Sequence, residues 1–184
     1  MNVVAIIPAR GNSKRLTRKN LYSLWGKPLL YWAIRACNES AFDVVPWVSS
    51  EDAEIRQVAA EFGARVHIRD ASLSDDETPK QAVIRSVAAH IRESSAAPDL
   101  VISLQPNSPQ IRGQHLDEGI NTLLKYGRDE IFSVNSNLMQ NAAFRIFRFD
   151  YVFQLDLSTN CGVYVCDLMD VHTLEDILVL ENAG

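Results

Sequence analysis

Residues 3–20 read VVAIIPARGNSKRLTRKN, an apolar run that breaks at a proline into a basic loop. The run 3–7 is apolar throughout and β-branched at every position except Ala5, which predicts a parallel strand covered by helices on both faces. After Pro8 come one glycine, small polar residues and several cations, with no acid among them. We expect this loop to lie beyond the carboxyl end of the strand, where open α/β sheets bind their ligands.

The charge of the chain is unevenly distributed. Residues 1–38 carry seven cations and no acid, whereas the remainder carries eleven cations and twenty-three acids. The cations of the loop are Arg10, Lys14, Arg15, Arg18 and Lys19. A glycine that lets backbone N–H groups approach an anion, followed by fixed positive charge, favours a polyphosphate ligand. A solvated basic face or a nucleic-acid patch is the alternative interpretation.

Two common nucleotide-binding motifs are absent from this segment. A P-loop needs a second glycine followed by lysine and a hydroxyl residue, but Gly11 is followed by Asn-Ser-Lys-Arg. The three-glycine dinucleotide fingerprint is missing as well. The pattern therefore argues against a P-loop kinase.

Composition limits the class of protein. At 184 residues, with 47% hydrophobic and 22% charged residues, the chain is predicted to form one domain over 1–184. A net charge of −5 argues against general nucleic-acid binding. Three cysteines, an odd number, indicate a reducing compartment. Because no signal peptide or long apolar segment is found, we expect a cytoplasmic protein without membrane contact.

Beyond the loop, apolar periodicity alternates between strands and helices. Strands are predicted at 44–48, 65–68, 100–104, 131–134 and 161–165, and helices after Pro28, at 53–62, after Pro79, at 114–126 and at 173–181. Residues 144–149 and 151–155 alternate apolar and polar side chains, which predicts a hairpin around Phe149-Asp150. The alternation predicts a sheet with a parallel core and helices on both faces.

The sequence resembles a known family. The motif PARGxSKR at 8–15, then Lys19-Asn20 and the GKPL of 26–29, resembles the N-terminal signature of the CMP-sialic acid synthetases, or acylneuraminate cytidylyltransferases. The resemblance implies a three-layer Rossmann-like nucleotidyltransferase fold with a mostly parallel mixed sheet. It also implies transfer of CMP from CTP to an acidic, nonulosonate-type sugar, with release of pyrophosphate, by a homodimer.

The resemblance further implies roles for individual residues of the nucleotide site. Positions matching the segment along the nucleotide are Ala9, Arg10, Gly11 and Asn12; phosphate contacts are Ser13, Lys14 and Lys19; a nucleotide or sugar contact is Asn20; contacts to the base are Arg69 and Thr78. Catalysis would rest on neutralisation of phosphate charge by Arg10, Lys14 and Lys19.

Three later segments match the family's acceptor and metal sites. LQPNSP at 104–109 implies that Gln105 and Asn107 contact the sugar, and NCGVYV at 160–165 implies the same for Asn160. DVHT at 170–173 implies that Asp170 binds Mg²⁺ or Mn²⁺. His172 stands where the family has a second acid. Because magnesium prefers oxygen ligands, we favour His172 as a residue at a helix entrance over a metal ligand.

The chain also departs from the family pattern. Ser158 stands where the family has an arginine, and the region 135–160, which in the family builds the dimer arm and part of the sugar pocket, is shortened. Two alternative functions follow from these departures. One is a catalytically impaired nucleotide-binding relative with a regulatory or assembly role, and the other is a nucleotidyltransferase for a smaller acceptor.

Overall fold

A seven-stranded sheet forms the centre of the computed structural model, which describes residues 1–75, 77–156 and 158–183. The strands, numbered along the chain, are β1 Val3–Pro8, β4 Val45–Ser50, β5 Arg65–Ile68, β6 Leu100–Leu104, β7 Glu130–Val134, β8 Gln140–Arg148 and β9 Cys161–Val165. A separate two-stranded hairpin consists of β2 Ser23–Leu24 and β3 Lys27–Pro28.

The sheet is mixed and mostly parallel, in the order β5-β4-β1-β6-β8-β7-β9. Strand β8 is antiparallel to both of its neighbours, β6 and β7. The four other strand pairs are parallel. It follows that β1, β4, β5, β6, β7 and β9 all point the same way, and their carboxyl ends meet at one edge of the sheet. The predicted fold class is confirmed.

The described residues form five α-helices, of which the first four pack on the sheet. They are α1 Leu29–Glu39, α2 Ala53–Glu61, α3 Lys80–Ser94, α4 Gly113–Lys125 and α5 Leu174–Ala183. Val3, Ala5 and Ile7 belong to the core beneath α1, α2 and α4. Val4 and Ile6 belong to the core beneath α3. Strand β1 is therefore buried on both faces, as its apolar run predicts. Among the described residues, no helix combines the length and apolarity needed to cross a membrane.

The predicted hairpin around Phe149-Asp150 is wrong. Strand β8 begins earlier, at Gln140, and pairs with the preceding strand β7. Phe149–Phe153 forms a 3₁₀ helix instead of a return strand. Its apolar side chains pack into the core beneath α3, and this packing overrides the strand-like alternation of the sequence.

Helices α1 and α4 approach closely where α1 ends and α4 begins. A Cβ added to Gly113 would lie 2.6 Å from the carbonyl carbon of Glu39 and 2.7 Å from its oxygen. Both atoms are backbone, so neither can swing away as a side-chain tip could. The absence of a side chain at Gly113 therefore sets the spacing of the two helices.

We expect Gly113→Ala to destabilise the protein by about 1–3 kcal/mol, the usual range for overpacking, although alanine favours helix elsewhere. The free energy of unfolding in urea measures the effect. Asn121→Ala, on an exposed position of the same helix, is the matched control and should stay within about 0.5 kcal/mol of the original protein. Equal stability of the two variants would contradict the packing argument.

Candidate active site

A cavity of about 300 Å³ opens at the sheet edge formed by the carboxyl ends of β1, β5 and β6. It is lined by Pro8, Arg10, Ser13, Lys19, Asn20, Arg69, Leu73, Asp75, Thr78, Lys80, Val83, Gln105, Pro106, Asn107 and His172. Among the residues that the structure describes, four lysines and arginines line this cavity, against one carboxylate, that of Asp75. The cavity therefore suits an anionic ligand, although the chain as a whole is acidic.

Nine of the predicted site residues line this cavity together: Arg10, Ser13, Lys19, Asn20, Arg69, Thr78, Gln105, Asn107 and His172. They come from four separate segments of the chain. Topology unites them, because the loops after parallel strands all emerge at the same edge.

Gly11 has a different environment from the one that the sequence predicts. Its N–H donates a 2.7 Å hydrogen bond to Oε1 of Glu51 rather than facing the cavity. A Cβ at this position would lie 2.6 Å from Oδ2 of Asp52, so a larger residue would require that side chain to shift. Through this hydrogen bond, Gly11 connects the basic loop to Glu51, the residue directly after β4.

Arg69 is 6% exposed and is held by the backbone and side chains of β4. One terminal nitrogen donates to the carbonyl oxygen of Ser49 at 2.6 Å, and the other lies 3.9 Å from Oε2 of Glu51. These contacts fix the guanidinium at the wall of the cavity. Since Glu51 also accepts from Gly11, one carboxylate connects the loops after β1 and β5.

Lys19 is a partly buried cation of the basic loop, and neighbouring charges act on its ammonium group. Burial lowers the pKa of its ammonium group, and the charges of Arg15 and Arg10 lower it further, while Asp170 and Asp176 oppose the shift. The ammonium group donates to the carbonyl oxygen of Val171 at 3.2 Å. A polyanion in the cavity would relieve the repulsion among these cations.

Three buried amide side chains face the cavity. Asn20 is 5% exposed; its Nδ2 donates to the carbonyl oxygen of Arg10 at 2.8 Å, while its Oδ1 has no hydrogen-bond partner in the described part of the chain. Gln105 and Asn107 are each 8% exposed and line the same cavity. Buried polar atoms are normally paired, so the unpartnered Oδ1 of Asn20 is suited to bind a ligand.

Thr78 lies at the rim with its hydroxyl already engaged. The hydroxyl donates to Oδ1 of Asp75 at 2.5 Å, and the same oxygen accepts from the Thr78 N–H at 2.6 Å. A contact from Thr78 to a base would therefore use the remaining lone pairs of its oxygen.

Several predicted residues do not line the cavity. Ala9 is fully buried, and its N–H donates to the carbonyl oxygen of Ser49, whereas Asn12 and Lys14 are exposed on the loop. Asn160 precedes β9 and hydrogen-bonds Arg128 and the carbonyl oxygen of Gly127. Because β9 runs parallel to β7, Asn160 lies at the opposite edge of the sheet from the cavity. This position contradicts its assignment to a sugar pocket shared with Gln105.

The predicted metal ligands make a sparse donor set. Asp170 accepts a 2.5 Å hydrogen bond from the hydroxyl of Ser108, and its charge raises the pKa of both Lys19 and Lys80. The backbone N–H of His172 donates to Asp176 just before α5, which agrees with a helix-entrance position. Among the described residues, no group of three potential metal ligands occurs. One carboxylate fits a Mg²⁺ ion only if substrate phosphates complete its coordination.

Sequence reasoning missed Lys80, which lines the cavity at the first position of α3. Burial of its ammonium group lowers its pKa, and Asp170 opposes this shift. One signal was available, because a cation in the first turn of a helix opposes the helix dipole. Such a residue is favourable only when an anion lies nearby.

Comparison with known proteins matches residues 4–164 to the cytidylyltransferase family. The chain belongs to this family. A pseudaminic acid cytidylyltransferase of Campylobacter jejuni is 33% identical over 171 residues, which are 91% of this chain and 68% of the relative. An N-acylneuraminate cytidylyltransferase A of Danio rerio is 37% identical over 133 residues, 72% of this chain. The match spans only 30% of that fish relative's length. The predicted family is confirmed.

Solved structures support the fold of this chain. A CMP:2-keto-3-deoxy-manno-octonic acid synthetase complexed with CTP gives a TM-score of 0.78 over 100% of this chain and 98% of its own, at 16% identity. A Mycobacterium tuberculosis protein solved with manganese gives a TM-score of 0.68 over the full length of both chains, at 13% identity.

The environment of His67 predicts that the stability of the protein depends on pH. Its Nδ1 lies 3.1 Å from the hydroxyl of Ser49, which also contacts Arg69. Burial lowers the pKa of His67 below 6.5, and His90 and Arg69 lower it further. The unfolded state therefore binds more protons around and below that pH. The corresponding stability is present above the unfolded pKa and is lost as the pH falls through the folded pKa.

We expect His67→Asn to lose less stability than the original protein when the pH falls from about 8 to about 5, measured by urea unfolding. His115→Asn is the comparison, because burial also lowers the pKa of His115 at a distant position on α4. The two substitutions should reduce the pH dependence additively. An unchanged dependence in His67→Asn would refute the role of His67.

Proposed function

We propose that this chain is a CTP-dependent cytidylyltransferase that transfers CMP to an acidic, nonulosonate-type sugar and releases pyrophosphate. The observation that carries the proposal is the cavity itself, in which four cations and one carboxylate of the described residues surround the amide side chains of Asn20, Gln105 and Asn107. The names of the relatives from Campylobacter jejuni and Danio rerio support the same chemistry.

The reaction requires positioning and charge neutralisation more than covalent help from the protein. In it, a hydroxyl oxygen of the sugar bonds to the α-phosphorus of CTP, the bond from that phosphorus to the bridging oxygen breaks, and the hydroxyl proton passes to solvent. Arg10 and Lys19 would neutralise the charge on the phosphates as it shifts toward pyrophosphate. Lys19 is suited to this because its ammonium group is partly buried among other cations.

The buried groups would orient the nucleoside. Arg69 is rigidly held by Ser49 and Glu51, so its guanidinium can donate to the carbonyl oxygen and the unprotonated ring nitrogen of cytosine with little loss of side-chain entropy. The unpaired Oδ1 of Asn20 can accept from an amino or hydroxyl group. Cytosine and ribose together offer both kinds of partner.

A divalent cation, Mg²⁺ or Mn²⁺, would be held by the carboxylate of Asp170 together with the phosphates of the nucleotide. When bound, it would supply additional neutralisation of phosphate charge. The cytoplasmic location, the homodimer and the absence of nucleic-acid binding stay predictions from the sequence.

We expect Lys19→Ala to lower kcat for pyrophosphate release about 10²- to 10³-fold, as loss of one preorganised donor does in other sites. The assay uses CTP, Mg²⁺ or Mn²⁺, and a panel of N-acetylneuraminate, pseudaminate and 3-deoxy-manno-octulosonate. Lys125→Ala removes an exposed lysine at the far end of α4 and should keep full activity. If the two variants behaved alike, Lys19 would have no role at the phosphates.

The choice of base is tested separately from turnover. We expect CTP to raise the melting temperature more than ATP, GTP or UTP at equal concentration, because a ligand stabilises the state that binds it. Arg69→Lys should reduce the advantage of CTP, since a lysine cannot make the paired contacts of a guanidinium. Equal stabilisation by all four nucleotides would exclude recognition of cytosine.

Two observations favour a second candidate, nucleotide binding without turnover. The N–H of Gly11 is bound to Glu51 rather than directed at the cavity, and Asp170 is the one carboxylate of the predicted metal pair that this sequence retains. Stabilisation by CTP without pyrophosphate release on any acceptor would support this candidate.

A further inference from the structure

Two histidines meet on the face of the sheet that α3 covers, behind the wall of the cavity. His67, on β5, is partly buried, and its ring centre lies 5.2 Å from that of His90 on α3. His90 in turn lies edge-on to Trp47 of β4, with ring centres 5.7 Å apart. The guanidinium of Arg65, on the same face of β5, lies over the ring of Trp47. His67 is thus enclosed between a helix and the neighbouring strand.

Two contacts connect His67 to Arg69, which lines the cavity. Ser49 is the register partner of His67 on β4 and is fully buried. Its hydroxyl oxygen lies 3.1 Å from Nδ1 of His67 and 3.5 Å from Nε of Arg69. The carbonyl oxygen of the same serine accepts from a terminal nitrogen of Arg69 at 2.6 Å. One buried serine therefore contacts both side chains.

The donors and acceptors of these groups fix the direction of the hydrogen bonds. A guanidinium can only donate, so Nε of Arg69 donates to the hydroxyl oxygen of Ser49. The hydroxyl then donates its single proton to His67, whose Nδ1 must be the unprotonated nitrogen of a neutral imidazole. An imidazolium carries a proton on both nitrogens, so it would donate to the same oxygen that Arg69 uses. Protonation of His67 therefore reverses the contact with Ser49.

Electrostatics act in the same direction. Strand β4 presents the neutral hydroxyl of Ser49 to His67, α3 presents His90, and the loop after β5 presents Arg69. Burial lowers the pKa of His67, and the charges of His90 and Arg69 lower it further. The surroundings of His67 therefore favour its neutral form.

Arg69 would be affected by a charge on His67. Burial lowers the pKa of its guanidinium, Glu51 opposes this shift, and the like charge of Arg10 adds to it. An imidazolium would place a further cation beside a guanidinium that has already lost much of its hydration. Such repulsion would weaken the hold of β4 on Arg69.

We propose that His67 is a positioning residue for Arg69: the neutral imidazole accepts from Ser49, and this contact keeps the guanidinium directed at the base of the nucleotide. Protonation of His67 then weakens recognition of cytosine, with little effect on the phosphate contacts. The inference rests on the proposed function, since it names the residue that maintains the base contact of that reaction.

The test measures the ratio of the dissociation constants of UTP and CTP from pH about 8 to about 5. Both nucleotides carry the same triphosphate, so titration of the phosphates cancels in this ratio. One ring nitrogen is an acceptor in cytosine and carries a proton in uracil, so the ratio reports the base contact of Arg69. We expect the ratio to fall about 3- to 10-fold as the pH drops through the pKa of His67, the usual value of one hydrogen bond.

Two substitutions at residue 67 separate the contact from the charge. In His67→Asn the side-chain oxygen takes the place of Nδ1 as an acceptor and never titrates, so the ratio should stay high at every pH. His67→Leu removes the acceptor, so the ratio should be low at every pH. His115→Asn is the matched control, because burial also lowers the pKa of His115, on α4, and it should keep the pH dependence of the original protein.

A double substitution shows whether His67 acts through Arg69. In an Arg69→Lys background, His67→Leu should lower the ratio no further, because the group that His67 positions is gone. A general disturbance of β5 would lower it again. The contact is also followed without nucleotide, from the NMR resonance of the Arg69 Nε–H group. This resonance should shift with the titration of His67 in the original protein and stay constant in His67→Asn.

Two results would overturn the inference. One is a pH dependence of the ratio that is as large in His67→Asn as in the original protein, and the other is a further loss from His67→Leu in the Arg69→Lys background. Failure to bind CTP would instead refute the proposed function. In that case the NMR titration still decides the role of His67: a shift of the Arg69 resonance supports it, and a constant resonance refutes it.

Discussion

The arrangement of the cavity depends on the acids at the end of β4. Glu51 accepts from the N–H of Gly11 and lies beside the guanidinium of Arg69, so it fixes the loops after β1 and β5 at once. The next residue, Asp52, caps α2 and pairs with Arg18. Glu51 thus contacts Arg69, which follows β5, and Asp52 contacts Arg18, in the loop after β1. The basic N-terminal region, which has no acid before Glu39, obtains one counter-charge here, through Arg18.

This neutralisation is local and leaves positive charge elsewhere on the same edge. Lys19 is partly buried with Arg10 and Arg15 close enough to lower its pKa. Holding like charges together costs free energy, and an anionic ligand recovers it. The carboxyl ends of the parallel strands thus combine a rigid support, fixed by Glu51 and Asp52, with a cavity lined by several cations. A polyphosphate meets both requirements.

Secondary structure could be predicted from the sequence wherever a single local interaction determines it. The apolar run of β1 has a single interpretation, because a strand covered on both faces needs no alternation. Asp52 and Gly63 mark both ends of α2, and the structure agrees. Residues 149–153 were mispredicted because their alternation suits a strand, whereas contacts with the core beneath α3 determine their conformation. Such long-range packing leaves no local signal in the sequence.

The same distinction between local and long-range signals applies to the residues of the candidate site. Arg10, Lys19 and Arg69 were found from a local motif, and the topology carries the loops that bear them to one edge. Asn160 failed because resemblance of a strand segment identifies the backbone but not the edge at which its first residue lies.

The sequence did not indicate a special role for Arg145, because the signal lies in strand pairing and not in a local motif. Its strand reads as apolar with scattered arginines, and only the register with β6 and β7 shows that this arginine is paired with a buried glutamate. Burying a cation in a central strand costs free energy, so we expect such a cation to be paired with an acid and to serve a function. Glu130 supplies the pairing, and Arg145 also lines a second cavity beside the first.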